Sequence, residues 1–359
     1  MTLPASAAED LEISIPPAHL PTDITDFTGR TAVVREACDL LAHNGGRDLT
    51  HSTAQTLVIT GMPGVGKTAL AVHVAHRLRD RFEDGALYAD LGGSTLAPQD
   101  PADVLEGFLR ALGVPDQRIP ARRQERSNLF RSLAARRRLL IVLDDVGSSD
   151  DARSLLPSGP SCVSIVTSLH RLYGLSALWR TDLDVLTPDE AVDMLGRSAG
   201  SSRTEKERSV AEDLVWMYGH LPLALRCVGA RLARTPGLPL STVFRELTHS
   251  DRPLEELQIG DLDVRSRYDA VVGRLNPLEQ AAFRELALLS RRGFTVQEAA
   301  DSLDWDTADV RKLIERLVDT HLLSIVPTAD GRLHYTVPRV SSLYAREMCR
   351  RTRAGAVRC

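Results

Sequence analysis

The chain has 359 residues, of which 43% are hydrophobic and 26% charged, and a formal net charge of -4. That length exceeds one compact core and predicts two or three domains. The ordinary composition excludes a fibrous or wholly disordered chain, and the charge excludes bulk attraction to nucleic acid or anionic lipid.

Residues 1–20 are rich in Ala, Pro and Ser and read as a flexible leader. They lack the basic start and long apolar core of a signal peptide, and no apolar run reaches membrane-span length, so a cytoplasmic protein with no membrane partner is expected. The five cysteines are scattered without a C-x-x-C pair, which fits buried or incidental thiols rather than disulfides or zinc. Within residues 20–30, Asp26, Thr28 and Gly29 suit a turn, and an amphipathic helix follows over 32–42. Residues 43–52 are loop-like.

A β-branched strand over 56–60 then meets Gly61-x-x-x-x-Gly66-Lys67-Thr68, followed by Leu70, Val74 and Leu78 at helical spacing. Strand, glycine loop and helix are the context a phosphate-binding loop requires. Glycines let backbone N–H groups turn inward without a Cβ clash, and the helix N-terminus completes an anion nest. Gly61, Gly64, Val65, Gly66, Lys67, Thr68 and Ala69 are the expected ligand contacts, with Lys67 a point charge on phosphate and Thr68 a Mg2+ ligand. His73 and His76 on the same helix read as surface or packing residues.

Further strands are predicted over 85–91, 139–143, 162–167 and 182–186, with helices over 101–112 and 122–136. The wholly apolar 139–143 reads as central in a parallel sheet. It ends in Asp144, expected in the Mg2+ shell. Asp145 follows: it either positions or activates an attacking water, or serves as a helix cap or surface ion pair. Strands alternating with helices predict a doubly wound parallel α/β sheet.

From 187 to 248 the pattern is helix only. Thr187-Pro188-Asp189-Glu190 supplies a cap, an opening proline and early acids, and a helix over 221–234 is entered through Gly219-His220-Leu221-Pro222. Residues 249–263 are acidic and loop-like. Helices over 277–289, 295–303 and 307–317, then strands over 322–326 and 332–337 joined by an Asp330-Gly331 turn, make a winged helix. A helix over 341–350 and a basic tail close the chain. The expected boundaries are a leader 1–20, a P-loop domain 21–186, a helical domain 187–250, a linker 251–264, a winged-helix domain 265–350 and a tail 351–359.

The combination of GMPGVGKTAL, LLIVLDDV and GHLPLAL, preceded by DFTGR and followed by a winged helix, resembles the NB-ARC branch of the STAND-class signal-transduction ATPases. The phrasing is similar to the bacterial subgroup in SARP-type antibiotic-regulatory regulators. The resemblance covers residues 20–350. It implies an ADP/ATP-binding switch, with Mg2+, in which sheet, helical and winged-helix domains clamp the nucleotide, and a protein partner or self-assembly as output. It assigns Phe27, Gly29 and Arg30 to the adenine and ribose, and Pro222 to the adenine. Without it, Gly29 reads as a turn glycine and Pro222 as a helix-opening proline.

Two positions depart from that pattern. Leu169 follows Thr167-Ser168 where the family carries a γ-phosphate-sensing arginine, with Arg171 the nearest substitute. Pro338-Arg339 stands where a His-Asp pair contacts the ADP β-phosphate, with Arg339 a candidate cationic replacement. Weaker discrimination between ADP and ATP is the expectation. The other readings are a slow Mg-dependent ATPase, with Asp145 catalytic, and a DNA-binding regulator. The last is disfavoured because residues 307–319 set Asp309, Glu315 and Asp319 against Arg311, Lys312 and Arg316.

Overall fold

The computed structural model describes residues 15–44, 54–235, 237–260, 262–289, 293–327 and 333–356. The leader up to residue 14, loop residues 45–52, the Asp330-Gly331 turn and residues 357–359 lie outside these. Among the described residues no helix is long and apolar enough to cross a membrane.

In chain order the first part holds α1 (Thr31–Asn44), β1 (Gln55–Gly61), α2 (Lys67–Leu78), β2 (Ala86–Asp90), α3 (Pro101–Ala111), α4 (Arg123–Ala134), β3 (Leu140–Asp144), α5 (Ser149–Leu155), β4 (Val163–Thr167) and β5 (Trp179–Leu183). The strands form one parallel sheet in the order β2-β3-β4-β1-β5. One hydrophobic cluster fills each face, with Leu57 and Ile59 of β1 in one and Val58 in the other. This is why β1, β3 and β4 read as continuous apolar runs.

Three expectations are corrected. The middle strand is β4, with β3 between it and β2. β5 starts at Trp179 rather than 182, because its register on β1 runs from Leu57↔Trp179 to Gly61↔Leu183. As an edge strand it alternates half-buried and exposed residues, and Val185 and Leu186, which suggested a strand, instead turn toward the helices: Leu186 N–H donates to His220 O at 3.3 Å. Residues 17–19, assigned to the leader, lie along the edge of β2, with Ala86 N–H donating to Pro17 O at 2.7 Å and His19 N–H to Ala86 O at 3.0 Å.

The helical part holds α6 (Pro188–Ala199), α7 (Ser201–Lys206), α8 (Arg208–Met217), α9 (Pro222–Arg234) and α10 (Leu240–His249). The predicted start of α6 is a full capping box between Thr187 and Glu190. The acidic stretch after α10 is packed rather than loose: Leu254 and Leu257 are fully buried, and it holds two short paired strands, β6 (Gln258–Ile259) and β7 (Leu262–Asp263).

The last part opens on a helix absent from the sequence reading, α11 (Val264–Val272), whose interleaved Arg and Asp masked its buried face of Val264, Tyr268, Val271 and Val272. Then come α12 (Pro277–Leu289), α13 (Val296–Leu303), α14 (Thr307–Asp319), the antiparallel pair β8 (Ser324–Pro327) and β9 (Leu333–Thr336), and α15 (Arg339–Ala356). Three helices are thus followed by an antiparallel strand pair and a closing helix. The 342–347 stretch SLYARE has a physical reason: Glu347, 2% exposed, accepts from Arg265 and from Leu254 N–H at 2.7 Å, tying α15 to α11 and to the acidic stretch.

Replacing Glu347 with Ala leaves buried Arg265 without its hydrogen-bonded carboxylate, with Asp269 at 3.7 Å and Glu255 at 4.0 Å as its remaining ion pairs, and Leu254 N–H without an acceptor. We expect a loss of about 3–5 kcal/mol in denaturant unfolding, part of it restored when Arg265→Leu is added.

Candidate functional site

The phosphate loop and Asp144 sit at the C-terminal ends of β1 and β3. β4 lies between those strands, so their ends are separated by two strand spacings, about 10 Å, and β4 closes the gap with Thr167. Its hydroxyl donates to Asp144 Oδ1 at 2.5 Å and accepts from Asp145 N–H at 2.9 Å. Asp144 also accepts from Tyr88 Oη at 3.1 Å and from Thr68. Burial pushes its carboxyl up, and the hydroxyls of Thr167, Thr68 and Tyr88 pull against that.

Asp145 sits in the left-handed region at φ 49°, an uncommon position for a non-glycine residue and typical of functional turns. Its Oδ2 accepts from Ser94 N–H at 2.9 Å and Ser94 Oγ at 2.6 Å. The carboxylate therefore holds the loop after β2, a role not weighed from sequence.

In the loop itself, Lys67 Nζ donates to Gly61 O at 2.8 Å and Met62 O at 3.1 Å. Burial drives the Lys67 ammonium down to about 8, with Asp145 and Asp144 pulling it back up. Gly64 has φ +77°, and a Cβ there would meet Leu223 Cβ at 3.0 Å. The approach is that close because Leu223 N–H, in the first turn of α9, donates to Gly64 O at 3.1 Å.

The N-terminal turn is spent differently from expectation. Phe27 lines the cleft, stacked on His73 at 4.1 Å, while His73 bonds Asp23 at 3.0 Å and His76 bonds Pro21 O at 2.7 Å. The two histidines thus pin this segment to α2. Arg30 Nη2 donates to Val65 O at 2.7 Å and Asp184 O at 2.9 Å, and burial lowers the guanidinium to about 10. Gly29 is not in the cleft wall: a Cβ there would meet the Glu190 carboxylate at 2.6 Å. Glu190 in turn accepts from Arg30 N–H at 2.7 Å. Burial raises the Glu190 carboxyl, but bonds from Arg30 and Thr187 N–H outweigh it and hold the group below its ordinary value.

These pieces enclose a cleft of about 530 Å3, of a size typical for small-molecule sites. Gly64, Val65, Gly66, Lys67, Thr68 and Ala69 line it with Asp144 and Asp145, and Pro222 faces them from α9. Gly61 lies behind the wall, presenting its carbonyl to Lys67. Sequence reasoning missed Tyr88, Ser94, Arg226 and Arg267, which also line it. Only the Ser94 position, in Gly92-Gly93-Ser94, carried a local signal.

The substitutes proposed for the two departures do not reach the cleft. Arg171 pairs with Asp182 at 3.0 Å. Arg339 lies over the Trp216 ring at 3.2 Å and donates to Met217 O at 3.2 Å, fastening α15 to α8. Leu169 does line the cleft, and offers it only hydrocarbon.

The residues fit a nucleotide with Mg2+. Thr68 and Asp144 line the cleft together and carry hard oxygen atoms of the kind such a cation would take, with phosphates and water completing its shell. Arg30, in the cleft wall, keeps a buried Nη1 without a partner among the described residues.

The sequence profile of the AAA domain matches residues 49–152. The regulatory protein AfsR of Streptomyces coelicolor is 39% identical over 350 residues, covering 98% of this chain and 35% of AfsR. That of Streptomyces griseus is 39% identical over 355 residues, 99% of this chain and 36% of its own length. The chain therefore spans little more than a third of these relatives. A probable disease resistance RPP8-like protein 2 of Arabidopsis thaliana is 28% identical over 223 residues, 58% of this chain and 23% of that protein. With its phosphate loop, the AAA-domain match and a near end-to-end likeness to about a third of AfsR, the chain carries an AAA-type P-loop ATPase domain and is similar to the NB-ARC-type, STAND-class module of AfsR-like regulators.

Proposed function

We propose that this chain is an adenine-nucleotide switch of a regulator, binding ADP or ATP with Mg2+ and passing the identity of the nucleotide to a protein partner or to further copies of itself. The observation that carries the proposal is the composition of the cleft: its walls come from the N-terminal turn, the phosphate loop, α9 and α11 together. A ligand filling it would touch the N-terminal turn, the sheet, the helical part and α11 at once, which is what a switch needs and a simple hydrolase does not.

Thr68 and Asp144 would hold the Mg2+, which neutralises phosphate charge when bound. Lys67 would move from the loop carbonyls to phosphate. Pro222 and Phe27 would cover the base, and Arg30 would brace the loop through Val65 O rather than grip the sugar. Hydrolysis is slow at most, since Asp145 already serves Ser94. Direct DNA reading by α14 is disfavoured: of its cations, Lys312 pairs with Asp309 and Arg316 with Glu279.

Mass spectrometry of native protein tests the proposal. Adenine nucleotide that co-purifies with the chain and is lost in Lys67→Ala supports it; none in the unaltered chain counts against it.

The lowered Lys67 value adds a pH signature. In the free chain the ammonium loses its proton above about 8, below the ordinary 10.5, whereas adjacent phosphate keeps it protonated. Binding at about pH 9 should then take up close to one proton and at about pH 7 none from this group, with affinity falling as pH rises through 8. Calorimetry in buffers of different ionisation enthalpy reads this directly.

If Asp145 orients the attacking water, Asp145→Asn lowers single-turnover hydrolysis about 100-fold or more while binding is retained. An unchanged rate would assign Asp145 to the Ser94 loop alone.

A further inference from the structure

One wall of the cleft is the segment that runs from Ile15 to the turn before α1. None of its residues from Ile15 to Phe27 is buried, and they form no helix or strand beyond a single bridge, Ala18 to Ala86. Yet Pro21, Thr22, Ile24 and Phe27 line the cleft. The start of the segment is fastened to the edge of the sheet, where Ala86 N–H donates to Pro17 O at 2.7 Å and His19 N–H to Ala86 O at 3.0 Å. Gly85 makes room for it: at φ +113°, a Cβ there would meet Pro17 O at 2.6 Å.

The rest is fastened to α2 by two histidines that do not line the cleft, three residues apart and so on one helix face. His76 Nε2 donates to Pro21 O at 2.7 Å, and its Nδ1 accepts from Arg79 at 3.3 Å. His73 Nδ1 bonds Asp23 at 3.0 Å and its Nε2 accepts from Arg77 at 3.1 Å, while its ring stacks on Phe27 at 4.1 Å, 5° from parallel. An arginine only donates, so in each histidine the nitrogen facing it carries the lone pair and the ring proton points to the segment. The other walls are anchored more heavily. The phosphate loop is tied to Lys67, Arg30 and Leu223, α9 buries Leu225, Cys227 and Val228, and α11 buries Tyr268 and is held by Glu347 through Arg265. A half-exposed segment held by single hydrogen bonds is the wall that opens at least cost. Its prolines, at 16, 17 and 21, restrict the free segment and so favour its return.

We propose that residues 16–27 are a strap that lifts to let nucleotide in or out, and that His73 and His76 are the positioning residues that set how long a bound nucleotide stays. This rests on the nucleotide-binding reading above and adds the control of release. A bound nucleotide holds the strap from the cleft side, through Pro21, Thr22, Ile24 and Phe27. The histidines hold it from α2, out of the ligand's reach. Lifting the strap also unpairs the Ala86 N–H and carbonyl on the edge of β2, two strands removed from β1. Opening can therefore be read at a strand that carries no part of the phosphate loop.

The test is stopped-flow release of a ribose-labelled fluorescent ADP, chased with excess ADP. It uses the whole chain, unaltered and as His76→Ala, His76→Gln, His73→Ala and His19→Pro, with ligand-free thermal midpoints and amide exchange alongside. His19→Pro removes the N–H given to Ala86 O at an exposed position outside the cleft. We expect His76→Ala and His19→Pro each to speed release at least about fivefold, and His73→Ala to speed it further, since it loses both a bond and a stack. His76→Gln, which can still donate to Pro21 O, should stay near the unaltered rate, and the midpoints should not change. In the unaltered chain ADP should slow amide exchange at His19 and Ala86. Unchanged release in both His76→Ala and His19→Pro, or no slowing of exchange by ADP, would overturn the strap while leaving nucleotide binding intact. Release as fast in His76→Gln as in His76→Ala would overturn the positioning role of His76. An unaltered chain that binds no fluorescent ADP would remove both the strap and the nucleotide reading. Should His76→Ala fail to fold, His19→Pro carries the same comparison.

Discussion

A loop that turns its N–H groups inward to meet an anion must turn its carbonyls outward, and each outward carbonyl needs a donor. Here the donors come from far along the chain. Gly61 O and Met62 O take Lys67, Gly64 O takes Leu223 N–H of α9, and Val65 O takes the Arg30 guanidinium. The back of the loop is thus a junction between the sheet, the N-terminal turn and the helical part. Movement of Lys67 from the loop carbonyls to phosphate would free two acceptors on a surface where the other two are tethers. That would give a physical route from ligand to fold, through bonds that are individually modest but share one turn.

The same economy appears at Glu190. One carboxylate closes the capping box of α6, accepts from Arg30 N–H and occupies the space a side chain at residue 29 would need. The glycine of the 28–30 stretch Thr-Gly-Arg is therefore explained by an inter-element approach rather than by ligand contact. At the other end of the molecule, Glu347 binds the acidic stretch and α11 to α15, so α11 is fixed from behind while its Arg267 face opens on the cleft.

What was legible in the sequence was local. The strand-loop-helix around Lys67, the apolar strand ending in Asp144 and the Thr187 capping box each depend on residues within one or two turns of each other, and each lies where it was expected. What was not legible was set by contacts across the chain. β5 takes its bounds from its register on β1, α11 hides its apolar face among charges, and Arg171 and Arg339 found partners nearer than the cleft. An arginine's position in the sequence fixes its reach but not which acceptor within that reach wins. For the same reason Arg267, with no motif around it, became visible only when α11 was seen against the phosphate loop.

The strand order has a consequence for how the chain is made. Gln55 of β1 pairs with Val163, 108 residues later, and β1's other neighbour, β5, is later still. Emerging from the ribosome, the phosphate-binding turn has no flanking strand on either side until β4 and β5 have followed it, and its cleft has no far wall until α11 at residues 264–272. Non-local parallel pairing of this kind is slow because chain closure precedes any contact it earns. The motif that is read first in the sequence therefore belongs to one of the last structures to mature, and the nascent chain leaves the backbone edges of β1 unpaired through the synthesis of more than a hundred residues.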